Sequence, residues 1–374
     1  MGDGRIEAAR VGGLRGEIFD LGRVALLPGL VNAHAHLELS WMRGRVPPAG
    51  SMPAWARALV LLRRVAGGDD EAAVGPAVEE MHRTGTAVVG DVANGLVACA
   101  PLAAGPLHAL IFHEILGLGD AEPEAIVAEA TRRARAVASA HIRTALSAHA
   151  PYSTGPALFR AIEAASAGQG TPIGVHLAES REEEEFLRTG GGAWRALLEE
   201  LGAWNARWEP PQCGAAEYLD RLGFLRPGLV AVHGVQLTPH EMRRLAARRV
   251  ALVTCPRSNH WTGAGSPPVV DFYASGLRVA VGTDSLASTP DLNLFGELAE
   301  LRRLAPPVPA ASLLRSATLE GAVALGWARE FGSIEPGKRA ALIAVALPRA
   351  VDDVEEELVR GITPDRITWP LAES

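Results

Sequence analysis

The chain has 374 residues, of which 48% are hydrophobic and 21% are charged, a balance typical of a globular protein with a sizeable core. Its net charge of −7 and its lack of basic runs argue against a nucleic-acid partner. No apolar run reaches the ~18 residues of a membrane helix, and the first residues lack the apolar segment of a signal peptide. We therefore expect a cytoplasmic protein that acts on a small-molecule substrate without a membrane, either as a monomer or as a homo-oligomer.

Short apolar segments alternate with longer helical segments between residues 27 and 329. Such segments are typical of strands that are buried on both faces of a parallel sheet. They comprise residues 27–36, 86–94, 107–116, 141–150, 171–179, 228–237, 250–259 and 278–286. Eight strand–helix repeats predict an α/β fold, a (β/α)8 TIM-like barrel over residues 28–329.

Two parts of the chain depart from this alternation. Residues 1–27 and 330–374 contain short, glycine-punctuated segments, and we predict that the two termini together form a small β-sandwich domain. Residues 180–227 exceed the length of one crossover helix and carry three of the eight tryptophans. This segment forms either a lid over the barrel mouth or a second helix packed on the outside, and the sequence leaves both open.

Histidine and carboxylate side chains lie at the carboxyl ends of the strands, where barrel enzymes carry their active sites. His34 and His36 end the first strand, and residues two apart on a strand face the same side. His176 ends the fifth strand and Asp284 ends the eighth. Three imidazoles and one carboxylate leave a coordination position for water, as in catalytic metal sites. We therefore predict one divalent metal ion, and ligands without thiolate favour Zn²⁺ but also suit Fe²⁺ or Mn²⁺.

Further polar side chains lie at the ends of the other strands. Glu179 follows His176 by one short turn. His233 ends the sixth strand and is either a fifth ligand or a neighbouring base and hydrogen-bond donor. His149, after the fourth strand, either contacts substrate or caps the strand. Asn259, after the seventh strand, either contacts substrate or holds a turn, and Glu114 at the end of the third strand is a further candidate.

Taken together, these segments resemble the amidohydrolase superfamily, in particular its chlorohydrolase and nucleoside-deaminase branch. Each segment alone is common, whereas the ordered set, which extends from one end of the chain to the other, is specific. The matching segments are residues 28–36 (PGLVNAHAH), 176–180 (HLAES), 232–234 (VHG), 255–259 (CPRSN), 282–285 (GTDS) and 334–338 (IEPGK).

The resemblance implies a barrel with a small β-sandwich made from both termini. It implies four metal ligands, namely His34, His36, His176 and Asp284. It also implies a catalytic role for Glu179, which would move a proton from water to a ring nitrogen. His233 would stabilise the oxygen charge that develops, and Asp284 would pass a proton to the departing ammonia.

Three other activities fit parts of the same pattern. Amide hydrolases of the superfamily often bridge two metal ions with a carboxylated lysine on the fourth strand, but the only lysine of this chain is Lys338, in the terminal turn. A chlorohydrolase would use the same water to displace chloride. A non-catalytic binding protein on the same fold is disfavoured, because every ligand and acid–base position is retained.

Within the branch, residues 36–40 (HLELS) and 184–187 (EEFL) are most similar to the aminodeoxyfutalosine deaminases of menaquinone biosynthesis. This resemblance implies an adenine nucleoside that carries an aryl carboxylate, with guanine, cytosine and S-adenosylhomocysteine deaminases as alternatives. We expect tryptophans of residues 180–227 to stack on the base and Glu114 to accept hydrogen bonds from the sugar. Arg257 would pair with the carboxylate, unless it faces solvent or braces a loop.

Overall fold

A computed structural model describes residues 4–7, 20–119 and 121–371 of the chain. The strands in these ranges are β1 Val24–Pro28, β2 Leu30–Ala35, β3 Thr86–Ala93, β4 His108–Ile115, β5 Ile142–Ala148, β6 Ile173–Leu177, β7 Leu229–His233, β8 Ala251–Thr254, β9 Arg278–Val281, β10 Leu342–Ala346 and β11 Ile367–Thr368. The α-helices are α1 Met52–Ala66, α2 Val74–Arg83, α3 Cys99–Ala104, α4 Pro123–Ala136, α5 Pro156–Ser166, α6 Arg181–Thr189, α7 Gly192–Glu200, α8 Ala215–Arg221, α9 Pro239–Ala247, α10 Pro256–Thr262, α11 Val269–Ala274, α12 Leu294–Leu304, α13 Ala310–Ser316, α14 Leu319–Ala324 and α15 Val354–Leu358. Short 3-10 helices cover Leu37–Met42, Glu71–Ala73 and Pro364–Arg366.

Strands β2 to β9 form one parallel sheet in chain order, and this sheet curls into a nearly closed barrel. The last strand returns to the first, where the N–H of Asp284 donates to the C=O of His34 at 3.0 Å. The Asn32 side chain strengthens this closure, because its amide both donates to the Thr283 hydroxyl (2.8 Å) and accepts the Thr283 N–H (3.1 Å). The predicted (β/α)8 barrel is therefore confirmed.

The two termini meet in a small antiparallel sheet, as predicted, in which β10 pairs with both β1 and β11. The single strand predicted for residues 27–36 is wrong, because the chain passes from this sheet to the barrel at Gly29. A Cβ atom there would lie 2.6 Å from the Cβ of Ala87, so the crossing requires glycine. Residues 1–3, 8–19 and 372–374 of the predicted sandwich lie outside the described residues.

The segment of residues 180–227 folds as α6, α7 and α8 with an irregular connection between α7 and α8. Two of its three tryptophans belong to the core. Trp194 is 4% exposed and stacks on Tyr152 with ring centroids 3.8 Å apart, and Trp208 is 7% exposed and stacks on Phe186. The predicted stacking on a substrate base is therefore wrong for Trp194 and Trp208, whose surfaces are covered by the protein. Trp204 is only partly buried and lies under the guanidinium of Arg195.

Among the described residues, no helix combines the length and the apolar character that crossing a membrane would require.

Candidate active site

Three imidazoles and one carboxylate converge at the carboxyl end of the barrel, as the sequence predicts. The Nε2 atoms of His36 and His176 are 3.3 Å apart, and Oδ1 of Asp284 lies 3.8 Å from Nε2 of His34 and 3.7 Å from Nε2 of His36. Two nitrogens bound at ~2.0–2.1 Å to a tetrahedral ion would be ~3.3–3.4 Å apart. The spacing of these side chains therefore suits one divalent ion.

The protonation and hydrogen bonding of these histidines also suit a metal ion. Burial lowers the pKa of His34 well below its usual range, that of His36 to about 3 and that of His176 to about 4, so the rings stay neutral, as ligands must be. Nε2 of His34 is buried without a hydrogen-bond partner. Nδ1 of His176 contacts the backbone oxygen of His149 at 2.8 Å, which leaves Nε2 to face the other ligands.

Asp284 is held by a serine that we did not predict to be functional. Ser258 donates from Oγ to Oδ2 of Asp284 at 2.5 Å and also contacts Oγ of Ser288 at 2.8 Å. Oδ1 is left to face the histidines. Ser258 lies in the segment CPRSN that carried the family resemblance, but no spacing rule distinguishes it from its neighbours.

Glu179 and His233 lie side by side next to the predicted ligands. Oε1 of Glu179 is 3.6 Å from Nε2 of His233, and Oε2 is buried without a hydrogen-bond partner. Burial raises the pKa of Glu179 well above its usual range, and the charges of Asp284 and Glu183 raise it further. A buried carboxyl group with a free oxygen is suited to exchanging a proton with a bound molecule.

Asn259 supports His233 rather than facing the barrel mouth. It is fully buried, and its side-chain amide nitrogen lies 3.0 Å from Nδ1 of His233. When this amide donates to Nδ1, the ring proton resides on Nε2, which faces Glu179. This hydrogen bond orients His233, while Oδ1 of Asn259 has no hydrogen-bond partner, so contact of Asn259 with substrate stays a prediction.

Glu114 and His149 flank the far side of His176. Oε2 of Glu114 accepts from the Asn94 amide (3.0 Å), whereas Oε1 has no hydrogen bond and lies 3.5 Å from Nδ1 of His176. His149 is partly buried, and its Nδ1 is 2.5 Å from Oγ of Ser153. Glu114 therefore retains one free acceptor, and both residues adjoin the predicted metal ligands.

A second polar group that the sequence did not reveal surrounds Arg63 on α1. This arginine is ion-paired with Asp69 and with Glu38, whose carboxylate accepts the backbone N–H groups of Asn94 (3.2 Å) and Gly95 (2.9 Å). Burial lowers the pKa of His36 and raises that of Glu114, and the nearby charge of Arg63 acts in the lowering direction at both residues. Glu38 is part of the HLELS segment, which is the signal that could have indicated it.

Three residues of the site have left-handed backbone angles although they are not glycine. The φ angles are 50° at Ala178, 77° at His233 and 61° at Asp284, and each such conformation costs about 1–2 kcal/mol. Each of the three lies at the end of a barrel strand or just beyond it. Strained residues of this kind cluster at functional sites, where they fix the direction of a side chain.

Arg257 does not face the histidines. Its Nε donates to Glu297 (2.6 Å), its Nη1 to Asp291 (2.9 Å), and its Nη2 to the backbone oxygens of Asp291 and Asn293. Every nitrogen of the guanidinium is thus bonded within the protein. The predicted pairing of Arg257 with a substrate carboxylate is therefore wrong, and the arginine braces the loop before α12.

The Arg257→Ala variant is expected to lose about 3–5 kcal/mol of unfolding free energy, because Glu297 would remain as a fully buried carboxylate without its partner. Denaturant unfolding measures this loss. Arg303→Ala is the control: Arg303 lies on α12 with Glu297 but forms an exposed pair with Glu300, and its loss should leave the transition unchanged. An Arg257→Ala protein of normal stability that binds only carboxylated substrates more weakly would restore the pairing hypothesis.

The family model described as "Amidohydrolase family" matches residues 25–368. With the barrel and the histidine–aspartate cluster, this match shows that the chain belongs to the amidohydrolase family, a class of metal-dependent hydrolases. It is accordingly a hydrolytic enzyme that acts on carbon–nitrogen bonds.

Individual relatives are deaminases. The chain is 33% identical to aminodeoxyfutalosine deaminase of Deinococcus radiodurans over 315 residues, which cover 80% of this chain and 73% of that protein. It is 32% identical to 5-methylthioadenosine/S-adenosylhomocysteine deaminase of Moorella thermoacetica over 372 residues, which cover 94% and 81%. Among solved structures it resembles Helicobacter pylori aminofutalosine deaminase in complex with methylthio-coformycin, with a TM-score of 0.80, 26% identity and coverage of 90% of this chain and 83% of that one.

Proposed function

We propose that this enzyme removes the amino group from the adenine ring of a 5′-substituted nucleoside and releases it as ammonia. The observation that carries the proposal is the free, buried Oε2 of Glu179 next to the histidine–aspartate cluster. Hydrolytic deamination of a heteroaromatic ring needs a proton on a ring nitrogen before water can add to the adjacent carbon. A buried carboxyl group with a raised pKa holds that proton.

We further propose that His34, His36, His176 and Asp284 bind one Zn²⁺ ion. Nitrogen and oxygen ligands suit zinc, and they would also suit Fe²⁺ or Mn²⁺. An adenosine deaminase from Xanthomonas campestris "with bound zn", 29% identical with a TM-score of 0.77 and coverage of 92% of this chain and 78% of that one, supports zinc. A divalent ion in such a site makes water nucleophilic at neutral pH.

The protein groups around this water divide the remaining work. Glu179 delivers a proton to the ring nitrogen, which makes the ring carbon electrophilic. His233, with its proton on Nε2, donates a hydrogen bond to the oxygen that adds to this carbon. Asp284, held at Oδ2 by Ser258, takes one proton from the water and passes it to the amino group, so that the carbon–nitrogen bond breaks and ammonia leaves. The second proton of the water moves from the added oxygen to Glu179 as the C=O bond forms, which replaces the proton that Glu179 gave to the ring nitrogen.

The nucleoside part of the proposal is supported by the relatives and by the free polar atoms beside His176. The relatives carry the names of deaminases of aminodeoxyfutalosine, 5-methylthioadenosine, S-adenosylhomocysteine and 5′-deoxyadenosine. Oε1 of Glu114 is free to accept a hydrogen bond from a sugar hydroxyl, and His149 lies beside it. Because Arg257 is bonded within the protein, a carboxylate on the substrate has no partner at that position. We propose aminodeoxyfutalosine as the substrate. The comparison with 5′-methylthioadenosine, which lacks a carboxylate, tests whether the enzyme requires that group.

Ammonia release by the metal-loaded protein is expected to be at least about tenfold faster, as kcat/KM, with these adenine nucleosides than with guanine or cytosine. The reason is that contacts to the sugar contribute binding energy that a free base lacks. A coupled ammonia assay over aminodeoxyfutalosine, 5′-methylthioadenosine, S-adenosylhomocysteine, 5′-deoxyadenosine, guanine and cytosine measures this ratio. Faster turnover of guanine or cytosine would overturn the substrate class, and release of chloride from a chlorinated triazine without ammonia from any nucleoside would overturn deamination.

A further inference from the structure

We infer that Glu183 positions the catalytic carboxyl group of Glu179 by holding the backbone of the turn between β6 and α6. Glu183 is fully buried in the first turn of α6. One of its carboxylate oxygens accepts the N–H of Ala178 at 3.1 Å, and the other accepts the N–H of Glu179 itself at 2.8 Å. Glu183 is thus a positioning residue, and this role rests on the proposed function, because it concerns proton delivery by Glu179.

The local sequence shows how unusual this bond pattern is. Ser180 and Glu183 have the spacing of a capping box, in which the glutamate reaches back to the N–H of the capping residue. The first half of the box is present, since Oγ of Ser180 accepts the N–H of Glu183 at 3.2 Å. The carboxylate, however, extends past the cap to the two residues before it. The helix is capped by the serine, so capping alone does not account for the buried acid.

A second helix of the barrel provides the comparison. Thr238 and Glu241 form an ordinary capping box at the start of α9, after β7, and the Glu241 carboxylate accepts the N–H of Thr238 at 2.9 Å. It stops at the capping residue and does not reach the backbone of His233. The two glutamates therefore occupy the same helix position, and only Glu183 contacts the backbone of an active-site residue.

The turn that Glu183 holds needs such support. Ala178 has a left-handed backbone with φ of 50°, and it is bonded from both sides, because its C=O also accepts the N–H of Gln236 at 2.8 Å. If the carboxylate is lost, two buried N–H groups lose their acceptor and the strained residue is released. Glu179 would then leave the position in which its free oxygen faces the site.

The test is a comparison of Glu183→Gln with Glu241→Gln as the matched control. Glutamine keeps the length of the side chain, but its amide nitrogen cannot accept a hydrogen bond, so one of the two N–H groups is left without a partner. We expect Glu183→Gln to lower kcat by roughly 10–100-fold, as small misplacements of reacting groups do, while KM and metal content stay within about threefold and twofold of wild type. Glu241→Gln should keep the wild-type kcat.

Glu183→Asp keeps the carboxylate but places it one methylene group further from the turn, and its kcat should lie between those of wild type and Glu183→Gln. This variant provides the same comparison if the glutamine variant does not fold. Hydrogen exchange of the substrate-free protein should be faster at the amides of residues 178 and 179 in both Glu183 variants and unchanged in the control. Unchanged exchange at these two amides, an unchanged kcat, or a loss confined to KM would overturn the role. If wild-type enzyme deaminates none of the nucleosides, the proposed function fails, whereas the exchange result still decides whether Glu183 holds the turn.

Discussion

Replacing Glu179 with glutamine is expected to lower kcat for deamination by at least ~10²-fold, the usual size of a general acid–base contribution. Glutamine has nearly the same shape but cannot deliver a proton to the ring nitrogen. The metal content should stay at the wild-type value, because Glu179 lies beside the predicted ligands with its Oε1 3.6 Å from His233 and is not among them. Steady-state kinetics of ammonia release and elemental analysis of the same preparation measure both quantities.

The matched control is Glu185→Gln, which changes an exposed glutamate on α6 and should keep the wild-type kcat. If the Glu179→Gln protein loses its metal, then Glu179 is itself a ligand and the proton must take another path. If it keeps full activity, the proton donor is a different group.

Replacing His34 or His36 with alanine is expected to remove both the bound metal and the activity. Each variant takes away one of the nitrogens that face Asp284 within 3.8 Å. In wild-type protein a bound ion stabilises the folded state by about 2.7 kcal/mol at a free concentration of 100 times Kd. Thermal unfolding with and without added Zn²⁺ should therefore show a shift for wild type and none for either variant.

His113→Ala is the control for this experiment. His113 is also a buried histidine near the end of a barrel strand, but its Nδ1 contacts the backbone oxygen of Ala93 instead of the metal cluster. The His113→Ala protein should keep its metal and should still show the shift in thermal unfolding on addition of Zn²⁺. Stoichiometric metal in a His34→Ala/His36→Ala double variant would contradict the ligand assignment.

The features that could be predicted from the sequence are those governed by strand geometry. His34 and His36 lie two residues apart on a buried strand, so they must face the same side, and parallel strands bring His176 and Asp284 to the same end of the barrel. In the structure His34, His36 and His176 form one group, and Asp284 lies within 3.8 Å of His34 and His36. Glu179 and His233 could be predicted for the same reason, because Glu179 lies just beyond the end of β6 and His233 is the last residue of β7.

The features that could not be predicted lie where the chain leaves the strands. The sequence predicts one strand end at the barrel mouth over residues 250–259, but α10 begins at Pro256, and successive residues of a helix point about 100° apart. Ser258 therefore reaches Asp284, Asn259 reaches His233, and Arg257 points away to Glu297. The loop sequence does not show where the helix begins, so it does not show which of these three side chains faces the site.

The prediction that tryptophans of residues 180–227 stack on a substrate fails for Trp194 and Trp208 for a different reason. A large aromatic side chain next to a barrel mouth suits either a substrate or the core, and burial decides between them. Trp194 and Trp208 pack on Tyr152 and Phe186 beneath the helices, so their apolar surface is already covered by the protein. Only tertiary contacts reveal this, since amino-acid composition is the same in both cases.

The pairing of β1 with β10 affects how the chain can be synthesised. Val24 pairs with Ala346, and at a synthesis rate of ~5–20 residues per second roughly 16–64 s separate the appearance of these two strands. Throughout this interval β1 is an open strand edge with no partner, and such edges recruit strands of other molecules. A nascent chain of this protein thus exposes β1 as a site for aggregation until β10 emerges. Early shielding by a chaperone is therefore more valuable here than in a barrel whose first strand pairs with its neighbour in sequence.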